Sequence, residues 1–255
     1  MLSNQPQAVL YLPIATTMLS AVFCAALLRR YEYKGKGAHL LWWAAGVVFY
    51  GAGTGVESSI TLFGNSIALT KAWYVFGALL GGYPLAQGTV YLLLRRRTAN
   101  VLTALSLPFI LVISLLVVLS PVHADQLNPV KPDGDILGWQ WLRLCTPVIN
   151  CYAGLFLIGG AILSAKRFAR QAATRHRAIG NALIAAGALL PAIGGSMAKF
   201  GIVEGLYVGE FVGLILIWLG YAFCVRRPAG QPRQAGSSVV VSPSAGSDTS
   251  AAGRP

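Results

Sequence analysis

Apolar residues run along this chain in blocks of about twenty, separated by short polar or charged clusters. A block of that length crosses ~30 Å of hydrocarbon when wound into a helix rising 1.5 Å per residue. The pattern predicts seven such helices, over residues 8–28, 39–63, 72–94, 100–120, 143–164, 177–200 and 206–225. The first block does not read as a secretory signal. Met1 to Gln7 carry no basic side chain, the run is longer than a signal core, and Arg29-Arg30 follow in place of a small-residue cleavage site. After Arg227 the chain turns to Ser, Gly, Ala and Pro. Residues 228–255 are expected to form a disordered cytoplasmic tail with no effector domain, because so little apolar surface cannot offset the entropy of ordering.

Composition sharpens the class. Hydrophobic residues make up 55% of the 255 and charged residues 11%, against about 25% charged in a soluble domain. A net charge of +12 would suggest a nucleic-acid partner in a soluble protein, but here the charge lies in clusters between apolar runs. Arg29, Arg30, Lys34, Lys36, Arg95, Arg96, Arg97, Lys166, Arg167, Arg170, Arg175, Arg177, Arg226, Arg227, Arg233 and Arg254 fall on one side of the expected bundle. Lys71, Lys131, Arg143 and Lys199 fall on the other. The positive-inside bias puts the richer side in the cytoplasm. The expected fold is therefore an all-α, polytopic membrane protein, a seven-transmembrane-helix bundle with its N-terminus outside and its C-terminus cytoplasmic. Its partner is the lipid bilayer, and nucleic acid is not needed to explain the charge. Trp73, Tyr74, Trp139, Trp141 and Tyr207 at outer edges, with Trp42, Trp43 and Tyr221 at inner ones, suit interfacial belts.

Candidate chemistry begins with ionisable residues inside helices, each costing ~2.5–3.5 kcal/mol at mid-bilayer on insertion scales. Glu57, Lys199 and Glu210 qualify, all in the outer third, and are expected to form an ion-paired cluster facing an outward-open cavity or else to reach water at the interface. Deeper polar groups, Gln87, Asn150 and Tyr83 first among them, are candidate cavity-lining residues or interhelical hydrogen-bonding groups. Pro84 and Pro191 are expected to kink helices three and six. Glycines at close-packing spacing include Gly51 and Gly55, Gly77 and Gly81, and Gly205, Gly209 and Gly213. The segment from Pro121 to about Leu142, with His123, Asp125, Asp133 and Asp135, reads as a solvated outer loop containing a Pro-Asp-Gly turn.

The chain holds three histidines, His39, His123 and His176, and the topology separates His123 from the others, which argues against a three-histidine zinc site. Cys24, Cys145, Cys151 and Cys224 lack zinc-ligand spacing and read as packing residues. No hydrolase, P-loop or dinucleotide signature is present. Neither a cofactor nor an enzymatic activity is expected.

The pattern Trp43…Gly46…Tyr50…Gly53…Glu57, followed by Trp73-Tyr74-x-Phe76-Gly77-Ala78-Leu79, resembles a group of uncharacterised bacterial seven-helix membrane proteins. Gly159-Gly160-Ala161 and Gly180-Asn181-x-Leu183-Ile184-Ala185-x-Gly187 add to the likeness. That group is distantly similar to the seven-transmembrane sensor regions fused to bacterial histidine kinases and cyclases. The resemblance implies a bacterial cytoplasmic membrane and a sensor-like role, although no kinase or cyclase follows helix seven. Topology is also similar to that of microbial rhodopsins, but helix seven has no lysine to hold retinal.

Two readings follow. One is a stand-alone sensor-like or scaffolding protein whose outward polar cavity takes a small ligand or lipid and which contacts a membrane or cytoplasmic protein. The other is a small-solute transporter of 3+1+3 parallel-repeat design. It is motivated by Ala44-Ala45-Gly46…Gly53 in helix two matching Ala185-Ala186-Gly187…Gly194 in helix six.

Overall fold

The structure, a computed structural model, describes residues 7–34, 36–129, 131–200 and 202–226, with the backbone but not the side chains at Gln7, Lys34 and Lys199. The tail expected over 228–255 lies outside the described residues. The described chain is helical almost throughout: α1 (Leu12–Lys34), α2 (Ala38–Phe63), α3 (Ile67–Trp73), α4 (Tyr83–Leu93), α5 (Arg96–Leu119), α6 (Leu142–Gly154), α7 (Gly160–Ala169), α8 (Arg175–Lys199) and α9 (Val203–Val225). These segments make seven rods, because α3 and α4 are two parts of one rod and α6 and α7 of another.

The two composite rods depart from the continuous helices expected from the apolar blocks. In the third rod, a π-type turn over Tyr74–Leu79 closes with Leu80 N–H donating to Val75 O at 2.9 Å. Leu80 to Gly82 then form a turn, and α4 restarts with Pro84 in its first turn. The residues explain the break. A Cβ on Gly81 would lie 2.7 Å from the Gly77 carbonyl oxygen, and proline at the start of a helix forfeits an N–H that had no partner anyway. Pro84 thus heads a new segment instead of kinking a continuous one. Helix α8 runs unbroken through Pro191. The fifth rod carries a second π-type turn at Leu155–Gly159.

Five rods are long and apolar enough to cross a membrane, over Ala8–Tyr33, Arg96–Leu119, Leu142–Ala169, Ala172–Ala198 and Val203–Val225. Large apolar side chains stand exposed on them, among them Leu105, Leu115, Leu144, Leu155 and Leu163. An apolar exterior of that extent is stable against hydrocarbon and not against water. The chain is a multi-pass membrane protein. The remaining two rods are α2 and α3–α4, and part of each is sheltered by the others. All eight residues from Tyr83 to Val90 are buried, so other helices stand between them and lipid.

Two apolar clusters fill the bundle. One joins Phe23 and Leu27 of α1, Val47 of α2, Leu85 of α4 and Leu214 of α9. The other joins Leu79, Tyr83, Ile110, Val117 and Leu142. Helices α8 and α9 approach at backbone distance. Gly180, Gly187 and Gly194 recur every seventh residue along α8 and meet Gly220, Gly213 and Gly205 of α9; a Cβ on Gly187 would lie 2.6 Å from Gly213 O. A seven-residue period keeps one seam in contact along two helices that coil left-handed.

The segment from Pro121 to Leu142 is a folded cap. Val122 and Leu137 form an antiparallel bridge, His123 N–H donates to Ile136 O at 2.9 Å, and Ile136 and Leu137 are buried. Asn65 Nδ2 donates to Asn128 O at 2.7 Å and Lys131 O at 3.2 Å. Arg143 pairs with Asp135. Lys71 Nζ donates to Val118 O at 2.8 Å and Ser120 O at 2.7 Å, so a cation satisfies carbonyls at the C-terminal end of α5.

Candidate functional site

Glu57 lies six residues before the end of α2, and Glu210 seven residues after the start of α9. At 1.5 Å per residue both sit roughly 9–10 Å inside the same end of the bundle. That common depth, on rods far apart in sequence, lets the two side chains meet. Their carboxyl groups are direct neighbours. Glu57 is 1% exposed, and Oε2 of each acid is shut away without a hydrogen-bond partner among the described residues.

Three aromatic side chains frame the pair. Trp73, the last residue of α3, donates its indole N–H to Glu57 Oε1 at 2.8 Å. Tyr50, two turns before Glu57 on α2, donates its hydroxyl to the main-chain oxygen of Glu210 at 2.9 Å. Tyr207, one turn before Glu210, is buried and lies beside both carboxyls, with Glu204 also near. Helices α2 and α9 are therefore joined at two levels, by a hydroxyl–carbonyl bond and by the acids. Close approach of α2 to the π-type turn makes room for this: a Cβ on Gly53 would stand 3.0 Å from Gly77 Cα.

Lys199, expected to pair with the acids, ends α8, and its side chain lies outside the described residues. Gln87 and Tyr83 belong to a second polar cluster, on α4. Gln87 donates to Thr103 Oγ1 at 2.6 Å and accepts from the Tyr152 hydroxyl at 2.6 Å. Tyr83 shares a 2.7 Å hydrogen bond with Ser106. Both are almost wholly buried. Asn150 joins neither cluster; it is exposed on the outside of α6.

Two surface depressions among the described residues are lined by other side chains. A depression of about 460 Å³ lies over the cap, lined by His123, Gln126, Asn128, Asp133, Asp135 and Gln140, and contains none of the candidate residues. A smaller one of about 190 Å³ lies between α1 and α2, bordered by Thr17, Ser20, Cys24 and Val47 among others. Among the described residues no group of three or more His, Cys, Asp or Glu side chains is placed to hold a metal ion.

The sequence marked Glu57 and Glu210 by their cost in a bilayer but offered no sign that Trp73 bonds to one of them. Trp73 reads equally well as an interfacial ring, because what its indole touches depends on how α3 packs. Tyr207 reads as an interfacial ring for the same reason.

Fold and site together define a multi-pass α-helical membrane protein with a buried carboxyl pair between its second and seventh rods. Compared with protein-family models, with curated proteins and with solved structures, the chain matches none.

Proposed function

We propose that the chain is a seven-span protein, N-terminus outside and C-terminus cytoplasmic, acting as a sensor-like protein of a bacterial cytoplasmic membrane. Its responsive element is the acidic pair, reached by a small ligand or lipid from the outer face. One observation carries this reading: two carboxyl groups from distant rods are buried against each other, with Oε2 of each unpartnered. Such a pair is held together or driven apart by whatever charge it carries, and α9 continues from it to the basic cytoplasmic end at Arg226. A structural element with two arrangements, biased at one end and read at the other, is what sensing requires.

Hydrogen exchange tests it without a known ligand. Glu210→Gln removes one acid's charge and imitates a neutralised site. The reading expects altered amide protection in the cytoplasmic half of α9, from Gly213 to Val225, and unchanged protection there would sink it. The discontinuous third rod favours the transporter reading as a second possibility, since broken helices line many membrane transport sites. Proton flux into proteoliposomes under a pH gradient, reported by an internal dye, would favour that reading.

A further inference from the structure

We propose that Glu57 and Glu210 form a binding site for one small monovalent cation. It is either a proton shared between the two carboxyl groups or an alkali-metal ion of sodium's size bridging them. The inference rests on the reading that the acidic pair is the responsive element, and it names what that element takes.

Two carboxylates facing each other are both acceptors and offer no donor. In a low-dielectric interior, like charges at this range repel strongly. The paired aspartates of acid proteases meet the same difficulty by holding one proton between them. Here Glu57 is 1% exposed and each Oε2 lacks a partner among the described residues, so bulk water does not screen the pair. The Trp73 N–H satisfies Glu57 Oε1 but leaves the facing oxygens as they are. A positive charge between them removes the repulsion and supplies the missing partner.

The surroundings select its size and class. The ligands on offer are oxygens, which suit a hard cation, and Tyr207 and Trp73 crowd the site. A calcium or magnesium ion would ask for six or more oxygens. The other titratable groups facing the pair are Tyr50 on α2, and Tyr207 and Glu204 on α9; α8 ends nearby at Lys199. Glu204 adds negative charge and so strengthens the demand for a cation. A loaded site draws α2 and α9 together and an unloaded one pushes them apart, which gives the proposed sensor its two arrangements.

The test uses the full chain in detergent. Melting temperature is followed from about pH 5.5 to 8.5 in choline chloride and in sodium chloride at equal ionic strength, for wild type, Glu57→Gln, Glu210→Gln and Lys199→Met. A cation that binds only the folded protein stabilises it by mass action. A shared proton predicts a wild-type melting point several degrees higher at acid pH, lost as pH rises, insensitive to sodium and flattened in both Gln variants. A sodium site predicts that sodium raises the melting point at pH 8.5 in wild type and not in the Gln variants.

No dependence on either cation in wild type would overturn the proposal, as would a dependence that persists unchanged in both Gln variants. A loss in Lys199→Met that either Gln substitution restores would show instead that Lys199 supplies the positive charge. Infrared difference spectra of the wild type between the two pH values cover the case in which a variant does not fold. The proton arm requires a protonated-carboxyl stretch that disappears at high pH, and the sodium arm a sodium-induced carboxylate shift; absence of both overturns the proposal. Cation dependence with unaltered exchange in α9 would leave the site standing and remove the sensor reading, so the two failures are distinct.

Discussion

The indole N–H of Trp73 donates to Glu57 Oε1 at 2.8 Å, and through that bond the third rod holds an acid that faces the seventh. Phenylalanine keeps most of the ring and loses the donor. A hydrogen bond to a buried carboxyl group is worth about 1.5–3 kcal/mol. Trp73→Phe is therefore expected to lower stability by that amount in reversible denaturation from detergent. Combined with Glu57→Gln the losses should fall short of additive, because both substitutions weaken one interaction. Strict additivity would mean that the bond contributes nothing to stability.

Gln87 holds three helices at once. It sits on α4, donates to Thr103 on α5 and accepts from Tyr152 on α6. Gln87→Leu leaves the Tyr152 hydroxyl without its acceptor and removes a donor from Thr103 Oγ1, which keeps its bond to Ala99 O at 2.9 Å. Interhelical hydrogen bonds in membranes average somewhat under 1 kcal/mol, so the loss expected for these two is roughly 1–2 kcal/mol. Adding Tyr152→Phe to Gln87→Leu should recover part of it by removing an orphaned hydroxyl. A double variant no better than the single would place the cost in packing instead.

Much of the helical layout was legible because an apolar block of twenty has few alternatives. Expected bounds of 39–63 and 177–200 became Ala38–Phe63 and Arg175–Lys199. That Glu57 and Glu210 lie within two turns of their helix ends was legible on the same grounds. Facing was not. In a helix apolar on nearly all sides, periodicity does not distinguish the lipid side from the bundle side, so Asn150 was a candidate lining residue and proves exposed. The break at Leu80–Gly82 also escaped, since Gly81, Gly82 and Pro84 inside an apolar run suit either a kink or a restart. The cap over Pro121–Leu142 read as a solvated loop because its order rests on contacts from Asn65 and the packing of Tyr74 against Gly134, neither of which is local.

Topology has a direct check. The basic asymmetry predicts that a fluorescent reporter fused after Arg227 matures in the cytoplasm, while an exported phosphatase at the same junction stays silent. Placed in the cap at Asp125, the phosphatase should be active and the fluorescent protein dark. An active phosphatase after Arg227 would invert the bundle and turn the acidic pair toward the cytoplasm.

The contact between α8 and α9 yields a prediction of opposite signs along one helix. Glycine in a helix interior costs up to ~1 kcal/mol relative to alanine, so Gly→Ala stabilises wherever the methyl group has space. At Gly195 no atom lies within 4 Å of the Cβ position, and Gly195→Ala is expected to be neutral or to stabilise by a few tenths of a kcal/mol. At Gly187 the same methyl group would lie 2.6 Å from Gly213 O and 2.9 Å from Ile217 N. These are backbone atoms, which cannot swing aside as a side chain would. Relief requires the helices to part, and overpacking of this kind costs about 1–3 kcal/mol, more than the propensity gain returns. Gly187→Ala should therefore destabilise, Gly187→Leu more strongly, and both should loosen amide protection along the seam. If Gly187→Ala matched Gly195→Ala, the two helices would not be in backbone contact at that level.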